Sequence, residues 1–101
     1  MTKEEMLIAK NKKILFLPHA IKQMTRLDRM ISTEDIREVI EYGEIIEDYP
    51  EDKRGASCLV AYINQRPIHV VCSPKDDYLA IITAYIPDPK LWSANFTKRR
   101  K

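Results

Sequence analysis

Apolar residues in the first part of the chain recur at the spacing of an α-helix. Pro18 can open this helix, because its missing N–H group is not needed in a first helical turn. The apolar positions that follow fit one helical face: Ala20, Ile21, Met24 and Leu27. A weaker pattern predicts a further helix over residues 3 to 12.

A second short helix is predicted between Ser32 and Gly43. Ser32 is a favourable N-cap, and acidic residues follow it in the first turn, where the helix dipole favours negative charge. Ile36, Val39 and Ile40 form an apolar stripe at helical spacing. Gly43 is then a suitable C-cap, and packing must supply most of the stability of so short a helix.

After Gly43 the apolar residues alternate as they do in β-strands. "EIIEDYP" predicts an edge strand or an extended arm, and "ASCLVAYIN", "PIHVVCS" and "YLAIITAYI" predict three strands joined by short turns. "KLWSANF" is expected to form a closing turn or short helix that covers the sheet edge with Trp92 and Phe96. The predicted fold class is α+β, with two or three N-terminal helices packed on a three- to four-stranded antiparallel sheet.

Alternation along the last two strands places polar side chains on one face of the sheet. The purely apolar sets should face the helices: Ile68, Val70 and Cys72 on one strand, and Ala80, Ile82, Ala84 and Ile86 on the other. The opposite face then receives His69 and Val71, together with Leu79, Ile81, Thr83 and Tyr85. Antiparallel pairing could bring His69 beside Thr83 or Tyr85, but the sequence leaves the register open.

Composition indicates one soluble domain over residues 1 to 101. Hydrophobic residues make up 45% and charged residues 32% of the 101 residues. We expect an N-terminal extension over residues 1 to 16 and a basic tail over residues 93 to 101, which could be disordered. No apolar run is long enough to cross a membrane, and acidic residues near the start argue against a signal peptide, so we predict a cytoplasmic protein.

The two cysteines, Cys58 and Cys72, are too few for a disulfide framework and fit reduced, partly buried thiols. If their strands pair through the turn at "NQRP", the two could lie opposite each other. A zinc site that combines them with His69 and His19 matches no ligand spacing. We therefore predict no metal and no cofactor.

Charge is distributed unevenly along the chain, although the net charge is only +2. Residues 1 to 30 carry seven Lys/Arg and three Asp/Glu, residues 31 to 56 carry three and nine, and residues 57 to 101 carry seven and three. Basic flanks of this kind could meet a polyanion such as RNA. Charge alone favours the simpler interpretation, a solvated surface with a basic tail.

Several motifs between about residue 17 and residue 92 resemble a known domain family. They are "HAIKQM" leading to "RMIS", then "YGEIIEDYP", "RPIHVV" and "IITAYIPDPKLW". In combination these motifs resemble a bacterial and archaeal family of unknown function that is grouped with RelE-like toxins in the barnase–EndoU–colicin–RelE fold. The chain departs from the family pattern in a slightly longer segment after His19, and in Gln23, where Arg is frequent.

The resemblance implies a toxin of a type II toxin–antitoxin pair that acts as a metal-independent endoribonuclease. Its expected partners are an RNA substrate and a small DNA-binding antitoxin, of which some carry a zinc-finger segment. In this fold group the chemistry lies on the sheet face and the adjacent helix. The resemblance places the site at these positions: His19, Arg66 or His69, Thr83 and Tyr85.

Metal-free RNA cleavage needs a base for the 2′-hydroxyl, an acid for the leaving 5′-oxygen, and positive charge near the phosphorus. Histidines titrate near neutral pH, so His69 and His19 are the predicted proton-transfer groups. Arg66, with Arg26 or Lys22, would hold the phosphate.

Tyr85 would orient the phosphate or stack on a base, and Thr83 would position a neighbour. Each residue also has a structural alternative: His19 could simply close the helix start, and Lys22 and Arg26 could be solvated. The alternative function is a non-catalytic interaction or RNA-binding module that uses the same sheet face.

Overall fold

A computed structural model of the protein describes residues 5, 8–9, 11–53 and 55–100. The elements it defines in chain order are β1 (Lys13–Phe16), α1 (Pro18–Met24), α2 (Thr33–Tyr42), β2 (Glu44–Tyr49), β3 (Ser57–Ile63), β4 (Pro67–Pro74) and β5 (Tyr78–Tyr85). The predicted α+β class is confirmed. Of the helix predicted over residues 3 to 12, half lies outside the described residues. Glu5, Ile8 and Ala9 are helical, whereas Asn11 and Lys12 are not.

The strands form one mixed sheet in the order β1-β5-β4-β3-β2. β1 pairs with β5 in parallel, and all the other neighbours are antiparallel. β2 lies at the edge, as predicted, but the prediction of three or four antiparallel strands was wrong. The missed strand, Lys13–Phe16, has only four residues, too few for alternation to be recognised, and its partner lies far along the chain.

The two helices differ in how well the sequence defines them. α2 begins at a capping box, in which Ser32 and Asp35 each bond the backbone N–H of the other, and it ends at Gly43 as predicted. α1 is shorter than its apolar pattern indicates, because Thr25 ends it. Leu27 is therefore outside the helix and 90% exposed, which contradicts its predicted place on the buried face.

One face of the sheet packs on the helices and forms the hydrophobic core. Ala20 and Met24 of α1 and Ile36, Val39 and Ile40 of α2 meet the strands there. The strand residues on this face are Cys58 and Val60 of β3, Ile68, Val70 and Cys72 of β4, and Leu79, Ile81 and Ala84 of β5. We call this side of the sheet the helix side and the other the open side.

A bulge in β5 corrects the predicted faces of that strand. Ile81 pairs with Cys72 and Thr83 with Val71, so the register skips Ile82. Two residues of one strand then oppose one of its partner, and strict alternation fails at this point. As a result Leu79 and Ile81, which were predicted on the opposite face, belong to the core, while Ala80 pairs with Ser73 on the open side.

The chain after β5 folds back across the open side; we call residues 88–100 the strap. Trp92 and Arg99 form an isolated antiparallel bridge, and Ser93 and Arg100 donate backbone bonds to Lys98 and Leu91. The side-chain oxygen of Asn95 accepts bonds from the hydroxyls of Ser93 and Thr97. The predicted closing turn is thus present, but it covers a sheet face rather than an edge.

Candidate functional site on the open side of the sheet

His69 and Tyr85 are direct partners across β4 and β5 on the open side. Of the two pairings that the sequence left open, the structure therefore has the one with Tyr85. Thr83 lies on the same face, opposite Val71 and half-buried. The polar residues of the last two strands do gather away from the helices, as predicted.

His69 is fully enclosed, with no exposed surface. Its Nε2 lies 2.7 Å from the carbonyl oxygen of Phe96, and its Nδ1 lies 3.3 Å from the hydroxyl of Tyr85. A carbonyl oxygen can only accept, so Nε2 carries the proton and Nδ1 accepts from Tyr85. The ring also packs edge-on against Trp92, with ring centres 4.5 Å apart. Burial lowers the pKa of His69 below its usual value, although the bond to Phe96 opposes that shift.

An ion pair between the strap and β2 completes the surroundings of His69. Arg99 donates from Nε to Glu47 Oε2 at 2.8 Å and from a second nitrogen to Oε1 at 3.0 Å. Tyr49 donates its hydroxyl to the same carboxylate, and the Arg99 guanidinium lies 4.7 Å from the centre of the Trp92 ring. These contacts join the basic C-terminal segment to the acidic edge strand.

The contacts of the ion pair lower the pKa of Glu47 and raise the pKa of Tyr49. The bonds from Arg99 hold the pKa of Glu47 below its usual value. Burial, together with the bond to Glu47, raises the pKa of Tyr49 to about 12. The charge of Glu47 raises the pKa of His69 and that of Arg99 lowers it, so the two charges of the ion pair oppose each other in their effect on the imidazole.

We call Glu47, Tyr49, His69, Tyr85 and Arg99 the polar cluster. It brings a carboxylate, an imidazole, two phenols and a guanidinium to one face of the sheet. Sequence reasoning missed three of its members, Glu47, Tyr49 and Arg99. Glu47 and Tyr49 are two residues apart in β2, so the sequence does indicate that their side chains share one face. It does not show which face, because the register of β2 shifts between Ile45 and Glu47.

The other predicted residues lie elsewhere. His19, Lys22 and Arg26 are exposed on or just after α1, on the helix side of the sheet. The sheet therefore lies between His19 and His69, and the two histidines do not share a pocket.

Arg66 is engaged in holding the loop between the helices. Its guanidinium donates to the carbonyl oxygens of Arg29 and Met30, at 2.8 Å for Met30, and lies 3.5 Å from a carboxylate oxygen of Asp35. These contacts fix the loop in which Met30 adopts a left-handed backbone conformation, with φ of 48°. The predicted phosphate-binding role would have to compete with these contacts.

A cleft of about 370 Å³ leads from the surface to the enclosed imidazole. Its walls include Tyr42 at the end of α2, Tyr62 and Pro67 near the β3–β4 turn, and Phe96 of the strap. His69 forms part of the cleft wall, but it has no surface open to solvent in this closed arrangement. Phe96 of the strap thus lines the cleft and also contacts the enclosed imidazole.

The described part of the chain offers no metal-binding cluster and no membrane-spanning helix. Within it, no three His, Cys, Asp or Glu side chains are arranged so that they could hold a metal ion. No helix among these residues has the length and apolar character needed to cross a membrane.

The fold defines a class of small α+β domains in which two helices cover one face of a mixed five-stranded sheet. Within that class, residues 16–86 match the family model described as "Domain of unknown function (DUF4258)", and the chain belongs to this family. The matched segment contains Glu47, His69 and Tyr85, whereas Arg99 and the rest of the strap follow it. No curated protein and no solved structure matches the chain.

Proposed function

We propose that the protein is a RelE-like toxin of a type II toxin–antitoxin pair, and that it cleaves RNA in the cytoplasm without a metal ion. The observation that carries the proposal is the polar cluster, which combines a carboxylate, an imidazole and a guanidinium on one sheet face. These are the groups that metal-free cleavage requires as base, acid and phosphate ligand. The motif resemblance to RelE-like domains supports the same assignment.

In the proposed reaction the 2′-oxygen of RNA attacks the adjacent phosphorus, and the bond to the 5′-oxygen breaks. Glu47, whose lowered pKa keeps it ionised at neutral pH, takes the proton of the 2′-hydroxyl. His69 gives a proton to the leaving 5′-oxygen, and Arg99 binds the phosphate oxygens. The products are a 2′,3′-cyclic phosphate and a 5′-hydroxyl.

This assignment changes the roles expected from sequence alone. Glu47 replaces His19 as the partner of His69, because His19 lies beyond the sheet. Arg99 replaces Arg66, Arg26 and Lys22 as the principal phosphate ligand. Tyr85 keeps its role of orienting the phosphate, because its hydroxyl lies 3.3 Å from His69, and Thr83 keeps its role as a neighbour on the same face.

Cleavage by this site requires the strap to move locally at Phe96, whose carbonyl occupies the nitrogen that must donate to substrate, while Arg99 of the same strap stays bonded to Glu47. The strap contains a feature that favours opening: Phe96 has a left-handed backbone conformation, with φ of 59°. Such a conformation in a bulky residue costs on the order of 1–3 kcal/mol. When the strap opens, water reaches the ring, and the burial that lowers the pKa of His69 is removed, which favours the imidazolium acid.

The primary test is cleavage of single-stranded RNA by the full chain in the presence of EDTA. Glu47→Gln removes the proposed base and should lower the cleavage rate about 10²- to 10⁴-fold. The matched control is Glu34→Gln, an exposed acid in the first turn of α2, which should leave the rate unchanged. Equal rates for wild type and Glu47→Gln would contradict the proposed site.

A second variant tests the closed strap without altering the polar cluster. Asn95→Ala removes the acceptor that binds the hydroxyls of Ser93 and Thr97, at 2.7 and 2.8 Å. The looser strap should raise the cleavage rate. The control is Asn64→Ala, which removes an Asn side chain from the β3–β4 turn. It leaves the strap unchanged and should not raise the cleavage rate.

The enclosure of His69 is also the observation that favours the alternative, a non-catalytic interaction or RNA-binding module. In that case RNA would bind with an affinity that falls steeply with salt concentration, and no product would form even with Asn95→Ala. The toxin assignment has its own test in cells. Expression should arrest growth, and coexpression of a small DNA-binding protein encoded beside this chain should restore it.

A further inference from the structure

Cys58 and Cys72 are direct partners across β3 and β4. Their sulfur atoms lie 3.8 Å apart, and neither side chain has exposed surface. The pair belongs to the hydrophobic core on the helix side. It is therefore separated by the sheet from the polar cluster and plays no part in the proposed cleavage.

The direct pairing of the two cysteines across antiparallel strands suits a disulfide. Directly opposed residues on antiparallel strands have Cα atoms about 4.5 to 5.5 Å apart. Disulfides need Cα separations of about 4.4 to 6.8 Å and a sulfur–sulfur bond of about 2.05 Å. Side-chain rotation therefore has to shorten the 3.8 Å separation of the sulfurs by about 1.75 Å to reach the bond length, and the strands are already close enough for this.

We propose that Cys58 and Cys72 form a reversible cross-strand disulfide, so that the core contains a two-electron redox site. The inference stands on the cysteine geometry alone and does not depend on RNA cleavage. A disulfide at this place would tie β3 to β4, the strand that carries His69.

The oxidant class that suits an enclosed pair is a small peroxide. The sulfur of Cys58, as thiolate, attacks one oxygen of hydrogen peroxide, which gives a sulfenic acid and hydroxide. The thiol of Cys72 then attacks the sulfenic sulfur, and the S–S bond forms with loss of water. In sum, two thiols and one peroxide give one disulfide and two waters.

The hydrogen bond between the two thiols stabilises the thiolate that attacks, and we take Cys58 as that residue. The bond from Cys72 lowers the pKa of Cys58, whereas the same bond and burial raise the pKa of Cys72. The thiolate is the reactive form of cysteine. Because both side chains are enclosed, reaction requires local opening of the core, so oxidation should be slow.

The test treats the reduced full-length protein with a small molar excess of hydrogen peroxide. The expected product is a monomer that has lost two hydrogen atoms by intact mass and yields a linked peptide pair containing Cys58 and Cys72. The melting temperature should rise on the order of 10 °C, because the bond restricts the unfolded chain. Dithiothreitol should restore the original mass and melting temperature.

Three results would overturn the proposal: two thiols that still titrate in denaturant after treatment, oxygen added to one cysteine without a linked peptide, or a disulfide-linked dimer. Cys58→Ala and Cys72→Ala serve as controls, and neither should give the intramolecular product. Circular dichroism checks their folding. The wild-type mass and peptide map decide the question by themselves, even where a variant fails to fold.

Discussion

The two sides of the sheet are built in different ways. On the helix side, side chains such as Ile36, Val39 and Val70 interlock with no exposed surface. On the open side, the strap is held by specific polar contacts, among them His69 with Phe96 and Glu47 with Arg99. Apolar packing is non-directional and follows from pattern, whereas each polar contact needs particular atoms at particular distances.

This difference implies that the two sides respond differently to perturbation. The helices and the sheet share one core, so damage there should destabilise the whole domain. The strap adds only Trp92 as a large buried anchor among its residues, at 3% exposure. Local opening of such a segment requires less free energy than global unfolding. The strap can therefore open at Phe96 and uncover His69 while the rest of the fold persists.

The largest expected effect is on the helix side. Ile36→Ala removes a fully buried side chain of α2 and should lower the free energy of unfolding by about 2 to 5 kcal/mol. Ile21→Ala makes the same change in α1, but Ile21 is 48% exposed, so this variant should lower the free energy of unfolding clearly less. Urea denaturation followed by circular dichroism measures both. Similar losses for the two variants would contradict the assignment of the core to Ile36.

An intermediate effect is expected from the anchor of the strap. Trp92→Ala should detach the strap, so the loss in global stability is limited to what the strap contributes. The loss in the free energy of unfolding should be smaller than the loss caused by Ile36→Ala. It should also be smaller than the usual cost of replacing a buried Trp by Ala, which is about 3 to 5 kcal/mol. Limited proteolysis should instead show much faster cutting within residues 88–100. A loss of stability as large as that of Ile36→Ala, with no selective cutting, would show that the strap belongs to the core.

Acidification should also loosen the strap, through His69. Burial lowers the pKa of His69 from its ordinary 6.5 in the closed form, while the open form regains an ordinary pKa. The open form binds a proton first, so the stability of the closed form, complete above pH 6.5, falls as pH drops toward the lowered pKa. The lowered pKa of Glu47 also makes the closed form less stable in acid, but only as the pH falls below 4.5, the ordinary pKa of a glutamate.

The measurement is the rate of proteolytic cutting in the strap between pH 7 and pH 5. The rate, corrected for the protease's own pH dependence, should rise in the wild type. His69→Asn lacks the titrating ring, so its cutting rate should not depend on pH over this interval. A flat profile in the wild type would mean that His69 does not control strap opening.

The contrast between the two sides also explains what the sequence could predict. α2 was predictable, because Ser32, the apolar stripe and Gly43 are local signals that agree. The His69–Tyr85 pairing was one of two registers that strand alternation allowed. Local signals decided α2, whereas alternation only narrowed the register of the His69–Tyr85 pair.

The features that could not be predicted from the sequence depend on contacts between residues that lie far apart in the chain. The bulge at Ile82 moved Ile81 into the core, and nothing in the alternation marks it. Arg99 lies in a segment that resembles a solvated basic tail, yet it pairs with Glu47 far away in the chain. Such a pair is visible only after the strap and β2 have been placed, so only two of the five residues of the polar cluster, His69 and Tyr85, were predicted.

The smallest expected effect on stability comes from two arginines on opposite sides of the sheet. Arg26 pairs with Asp28 at 3.2 Å and Arg99 with Glu47 at 2.8 Å, and both arginines are more than half exposed. Exposed ion pairs contribute about 0.2 to 1 kcal/mol, so Arg26→Ala and Arg99→Ala should both unfold close to the wild type. Their RNA cleavage rates should differ, because only Arg99 belongs to the polar cluster: Arg99→Ala should lose activity and Arg26→Ala should keep it. If Arg26→Ala lost as much, phosphate binding would extend to the helix side, where the sequence suggested Arg26 as an additional phosphate ligand beside Arg66.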